Sequence, residues 1–100
     1  MKIRKDKYQI NGVNLLDLVK EYGAPLYVYD AQKIEEQFDL IQKAFNNSKT
    51  HIKYACKALT NINILKLLKN KGAGLDAVSI QEVIIGLKAG FKAEEIIFTP

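Results

Sequence analysis

From residue 52 onward the chain alternates between short apolar runs and amphipathic stretches, and this alternation limits the fold more than any other feature. Ile52–Cys56 reads as a strand, with Ile52, Tyr54 and Cys56 alternating against Lys53 and Ala55. A helix follows over about Ile62–Asn70, with Leu65 and Leu68 on one side. Ala73–Ala77 reads as a second strand. Ser79-Ile80-Gln81-Glu82 is a capping-box sequence opening a helix to about Ala89, which Gly90 stops. Glu95–Thr99 reads as a third strand. The order strand, helix, strand, helix, strand, at about 20 residues per unit, predicts a parallel sheet covered by helices. It fits a closed barrel and an open sheet equally, and in both the ligand site lies at the C-terminal ends of the strands.

The first half reads differently. Asp6–Gly12 predicts a short strand ending in the turn pair Asn11-Gly12. Asn14 caps a helix through Tyr22, with Leu15, Leu18 and Val19 on its buried stripe; Gly23 ends it and Pro25 prevents its restart. Leu26–Tyr29 is a compact β run. Asp30 caps a helix over Ala31–Phe45, where Ile34, Phe38, Ile41 and Phe45 form one face opposite Glu35, Glu36, Asp39 and Gln42. Asn46-Asn47-Ser48 is expected to end it.

Composition removes several function classes. With 48% apolar and 26% charged residues, the chain is a globular sequence. One Cys excludes a disulfide framework, and one Cys with one His leaves little to hold a metal. The net charge of +4 is diffuse. Lys2, Arg4, Lys5 and Lys7, and then Lys66, Lys69 and Lys71, lack interleaved aromatics, so they read as solvated surface and not as a nucleic-acid interface. No signal-peptide core follows the basic start, and no run approaches the roughly 20 apolar residues of a membrane helix. The expectation is a cytoplasmic protein with no nucleic-acid or membrane partner and no metal, in which Cys56 stays a thiol.

Among the 14 lysines, Lys57 stands apart by position. It closes the apolar run Tyr54-Ala55-Cys56 and precedes a helix, which places it at the C-terminal rim. Partial desolvation there disfavours the ammonium form and frees a nucleophilic amine able to form an imine with an aldehyde. The plain alternative is a lysine that snorkels to water. His51, the single histidine, lies at the opposite end of the strand and is a poor catalytic candidate. Cys56 alternates away from Lys57 and reads as a small buried apolar residue.

Tyr54-Ala55-Cys56-Lys57-Ala58 resembles the Y-A-x-K-A segment of the alanine-racemase-like, fold-type III decarboxylases that use pyridoxal 5′-phosphate. Within them it is similar to the diaminopimelate branch in four further blocks. These are Tyr22-Gly23-Ala24-Pro25-Leu26-Tyr27-Val28-Tyr29-Asp30, the Asn61–Leu68 helix, Gly74-Leu75-Asp76-Ala77-Val78-Ser79 with Glu82, and Ile96-Ile97-Phe98-Thr99. Ala58 and Leu75-Asp76-Ala77-Val78-Ser79 depart from the ornithine-type patterns, and the V-K-A-N-A-Y-G segment of the racemases is absent. Cys56 stands where Val is usual, and Leu59-Thr60 where Asn-Ser is common. These departures leave open a related decarboxylase of the ornithine or arginine type.

The resemblance implies an α/β fold: the N-terminal part of a parallel (β/α)8 TIM-type barrel over residues 31–100, preceded by a strand–helix–strand segment, residues 1–30, belonging to a second β-rich domain. It implies that Lys57 carries the cofactor pyridoxal 5′-phosphate and is the catalytic residue. Asp76, at the next strand end, would hydrogen-bond the lysine or the cofactor; its alternative is a helix-entry carboxylate favoured by the macrodipole. Ala55 would leave room for the flat cofactor ring, and Ser79 would serve its capping box. The implied reaction is decarboxylation of meso-2,6-diaminopimelate to L-lysine in a homodimeric enzyme. A barrel of this type takes about 250 residues. The chain is therefore expected to be a truncated piece, weakly stable and inactive by itself, with the phosphate loop, the acid facing the pyridine nitrogen and the substrate-binding arginines beyond Pro100. If instead the chain is complete, it is a small non-catalytic α/β module.

Overall fold

The computed structural model describes residues 1–46 and 49–100. The contacts divide them into two units, Met1–Lys33 and Ile34–Pro100. No helix among the described residues is long and apolar enough to cross a membrane.

The first unit is an antiparallel meander followed by a helix. Its strands are β1 (Lys2–Arg4), β2 (Lys7–Ile10) and β3 (Val13–Asn14), so the one strand expected over Asp6–Gly12 is the middle of three. Two tight turns make the difference. Lys5 and Asp6 have φ of 49° and 60°, and Asn11 and Gly12 have 50° and 81°. Paired left-handed residues give a turn whose twist matches that of the strands it joins. Asn11-Gly12 announces this; Lys5-Asp6 does not. Helix α1 (Leu15–Tyr22) starts as expected, with Asn14 Oδ1 accepting from the Leu16 N–H at 3.1 Å. Its stripe is less buried than expected: Leu15 and Leu18 are half-buried and Val19 is exposed. Leu26–Tyr29 is not a strand. The run has strand propensity, but no ladder partner for it exists among the described residues, and a strand is defined by its partner. Asp30 Oδ1 accepts from the Lys33 N–H at 3.1 Å and from Asn11 Nδ2 at 2.7 Å, which sets the start of α2 (Ala31–Ala44). These bonds, that from Lys33 first, hold the Asp30 carboxyl below the usual carboxylate range.

The second unit carries the core. Strands β4 (Lys53–Ala55), β5 (Gly74–Ala77) and β6 (Ile96–Phe98) form a parallel sheet in the order β4-β5-β6. Helix α3 (Ile62–Asn70) joins the first pair and α4 (Ile80–Ala89) the second, at the bounds the sequence predicts. Asn61 caps α3 through the Asn63 N–H at 2.9 Å. Both helices end in the same way. The Ala73 N–H reaches back to the Leu68 carbonyl and that of Gly72 to Lys69; the Phe91 N–H reaches Gly86 and that of Gly90 Leu87. This paired closure needs a left-handed residue just past the helix, and Gly72 (φ 99°) and Gly90 (φ 104°) supply it. The chain thereby leaves each helix aimed back toward the sheet.

Leu65, Leu75, Cys56, Ala89 and Phe91 form one buried cluster, and Phe38, Leu68 and Ala73 a second; Tyr54 packs against both. Helix α2 buries Phe38 but leaves Ile41, and Phe45 just past its end, half-exposed, so only part of the expected apolar face is covered here. Lys71 Nζ meets the Asp39 carboxylate at 2.8 Å, tying the end of α3 to α2. That bond raises the Lys71 pKa above its ordinary value. Helix α2 ends at Ala44. Of its expected stop signal, Asn47 and Ser48 lie outside the described residues.

Candidate cofactor site at the strand ends

Register places the candidate residues. Ala55 pairs with Asp76, and Asp76 with Ile97, so these three form a row across the sheet. Side chains alternate between faces along a strand. Tyr54, Cys56, Leu75 and Ile96 therefore face the helices and belong to or pack against the buried cluster, and Ala77 on the same face is fully buried. Ala55, Asp76 and Ile97 occupy the opposite face, which no element of this unit covers among the described residues.

Lys57 is not the last residue of a strand. Strand β4 stops at Ala55, and Cys56-Lys57-Ala58 form a 3-10 turn closed by the Leu59 N–H on the Cys56 carbonyl at 3.1 Å. The turn comes from opposite demands on neighbouring residues. Cys56 is fully buried, whereas Lys57 and Ala58 are exposed. The partial desolvation expected at Lys57 is accordingly not provided by the described residues, since the strand ends one turn too early to enclose it. Lys57 does lie past the C-terminal end of β4, in a turn packed against β5. No hydrogen bond or ion pair engages its amine among the described residues.

Among the described residues, Asp76 bonds neither Lys57 nor a helix N-terminus. Its Oδ1 accepts from Thr99 Oγ1 at 2.9 Å, across the ends of β5 and β6. Ala55 is half-buried in the same row, with a methyl group as its whole side chain. Ser79 caps α4, its Oγ accepting from the Glu82 N–H at 3.2 Å. The return half of the box is shifted by one residue: Glu82 Oε1 takes the Val78 N–H at 3.2 Å. Glu82 also faces Cys56. Burial first, then the Glu82 charge and a hydrogen bond to it, raise the thiol's pKa and keep Cys56 protonated. The apolar reading of Cys56 holds for its burial, but it missed this polar contact. His51 is exposed just before β4, at the far end of the strand from Lys57.

Two further residues escaped the sequence reading. Lys53 Nζ donates to the Glu95 carbonyl at 3.1 Å, spanning β5 at Gly74. A Cβ on Gly74 would sit 2.6 Å from Lys53 Cδ and 2.7 Å from that carbonyl, so only glycine admits the span. Lys53 alternates with apolar residues and so reads as solvated surface. Thr99 was placed in a strand without a partner for its hydroxyl. Nothing local marks either contact, because both depend on strand register.

An unengaged amine, a carboxylate and a small side chain at neighbouring parallel strand ends suit an aldehyde cofactor with a flat ring. The comparisons agree. The family model described as pyridoxal-dependent decarboxylase, pyridoxal binding domain, matches residues 31–100, and the chain belongs to that family. Its β-α units are the opening units of that family's (β/α)8 barrel, and pyridoxal phosphate is the cofactor of the domain. A diaminopimelate decarboxylase from Methanothermobacter thermautotrophicus is 40% identical over 92 residues, 90% of this chain and 22% of the relative. A crystal structure of diaminopimelate decarboxylase from M. jannaschi superimposes with a TM-score of 0.93 at 28% identity, over 98% of this chain and 24% of its own. The Helicobacter pylori enzyme complexed with L-lysine gives 0.80 at 41% identity, over 85% of this chain and 22% of its own. The chain thus spans about a fifth to a quarter of the length of these relatives.

Proposed function

We propose that this chain is the lysine-bearing part of a pyridoxal-5′-phosphate-dependent decarboxylase that converts meso-2,6-diaminopimelate to L-lysine and CO2. The observation that carries the reading is Lys57, an unengaged amine just beyond the row Ala55–Asp76–Ile97. Relatives named diaminopimelate decarboxylase, at about 40% identity over nearly the whole chain, support the substrate. Pyridoxal phosphate, when bound, supplies the electron sink for the charge left on Cα as CO2 departs.

In this reading Lys57 Nζ would hold the cofactor and would carry a proton to or from the reacting carbon. The Asp76 carboxylate accepts a hydrogen bond from Lys57 or from the cofactor. Ala55 keeps the row shallow enough for the ring. Residues 31–100 contribute this part of the barrel, and residues 1–30 belong to a second, β-rich domain. The enzyme is a cytoplasmic homodimer acting on a small amino acid, with the remaining cofactor and substrate contacts supplied by sequence outside residues 1–100.

The test is CO2 release by the full-length protein from meso-diaminopimelate, ornithine and arginine. The reading predicts turnover of diaminopimelate, abolished by Lys57→Ala. Preference for ornithine or arginine would move the chain to a neighbouring branch of the family. No turnover of any of the three by cofactor-loaded protein would favour a non-catalytic module.

A further inference from the structure

Among the described residues, the Thr99 hydroxyl is the one hydrogen-bond partner of the Asp76 carboxylate, at 2.9 Å to Oδ1. The geometry of this contact is set by backbone. Thr99 lies two residues past Ile97, the register partner of Asp76, so it shares the open face with Asp76 and Ala55. Its N–H donates to the Ala77 carbonyl at 2.8 Å, continuing the β5–β6 ladder one step past the last assigned strand residue. A β-branched side chain on a pinned backbone has few χ1 choices. Its hydroxyl therefore meets the carboxylate from a fixed direction, and Oδ2 carries no hydrogen bond among the described residues.

We infer that Thr99 is a positioning residue: it holds the Asp76 carboxylate in one orientation through Oδ1 and so presents Oδ2 to the pyridoxal group. The inference rests on the place given to Asp76 in the proposed cofactor site. A serine keeps the donor; a valine keeps the shape and removes it. Losing the donor frees the carboxylate to rotate, so bound cofactor loses a preorganised acceptor.

The experiment is a double-mutant cycle on the full-length apoprotein, titrated with pyridoxal 5′-phosphate and followed by cofactor absorbance. Thr99→Val is expected to weaken cofactor binding by about tenfold, the size of effect a hydrogen bond to a charged group supports. Thr99→Ala, which removes the hydroxyl without adding a methyl, is expected to match it. Thr99→Ser is expected to restore binding to within about threefold of the parent, with a melting temperature like that of Thr99→Val, which a purely structural role would not produce. Asp76→Asn is expected to weaken binding, and Thr99→Val added to it to cost less than about twofold more. Unchanged affinity in Thr99→Val beside a weakened Asp76→Asn would overturn the inference and leave Asp76 in the site. Equal losses from Thr99→Val in both backgrounds would show that Thr99 acts independently of Asp76, and would also overturn it. Parent-like affinity in Asp76→Asn would remove Asp76 from the site, and this role of Thr99 with it.

Discussion

The two faces of the β4–β5–β6 sheet are made by the same strands and have opposite properties. On one, Cys56, Leu75 and Ala77 are 0% exposed beneath α3 and α4. On the other, Ala55, Gly74 and Asp76 are half-buried and Ile97 is 48% exposed. The pleat lets consecutive residues serve two purposes: Leu75 anchors the core while Asp76, next in sequence, reaches the candidate site. One face supplies stability and the other is left for chemistry, and substitutions on the two should therefore separate cleanly.

Leu75→Ala should give the largest stability effect, a loss of about 2–5 kcal/mol from the transferred side chain and the cavity left behind. Chemical denaturation of the protein checks this. Asp76→Asn, one residue away, should leave the denaturation midpoint almost unmoved while lowering cofactor affinity; a large shift in midpoint would break the division between faces. Ser79→Ala removes the cap of α4 and should cost about 1 kcal/mol without changing which lysine retains the cofactor. The smallest effects are electrostatic. The folded-state pKa of Lys71 is raised by Asp39, so the pair's contribution is complete below the ordinary lysine value of 10.5 and is lost as pH climbs through the raised one. The Asp30 carboxyl is lowered, so its contribution is present above the ordinary 3.8 and disappears as pH falls through the lowered value. Melting curves against pH should show shallow losses at these two extremes, and Lys71→Met should flatten the alkaline one.

Much of the covered face was legible in the sequence because it is written locally. The bounds of α3 and α4, the Ser79 cap, and the stops at Gly72 and Gly90 follow from residue type and period. The Leu65–Leu68 stripe follows from spacing. The open face was legible only in part. Lys57 and Asp76 were singled out, but their surroundings were not: the Thr99 bond and the Lys53 span arise from register between strands and join residues 23 and 42 apart in sequence, which no local pattern encodes, and the turn at Cys56 depends on which of its neighbours is buried. The N-terminal unit misled for a related reason. Leu26–Tyr29 has the composition of a strand and finds no partner among the described residues. Lys2–Arg4 has ordinary surface composition and becomes a strand because Lys5-Asp6 turns it onto β2.

The most direct test of the account is to locate the cofactor. The full-length protein, loaded with pyridoxal 5′-phosphate and reduced with borohydride, is digested and its labelled peptide mapped. The account predicts a single modified lysine, Lys57, at close to one label per chain, and no label in Lys57→Ala. Label on another of the 14 lysines, or undiminished label in Lys57→Ala, would contradict it.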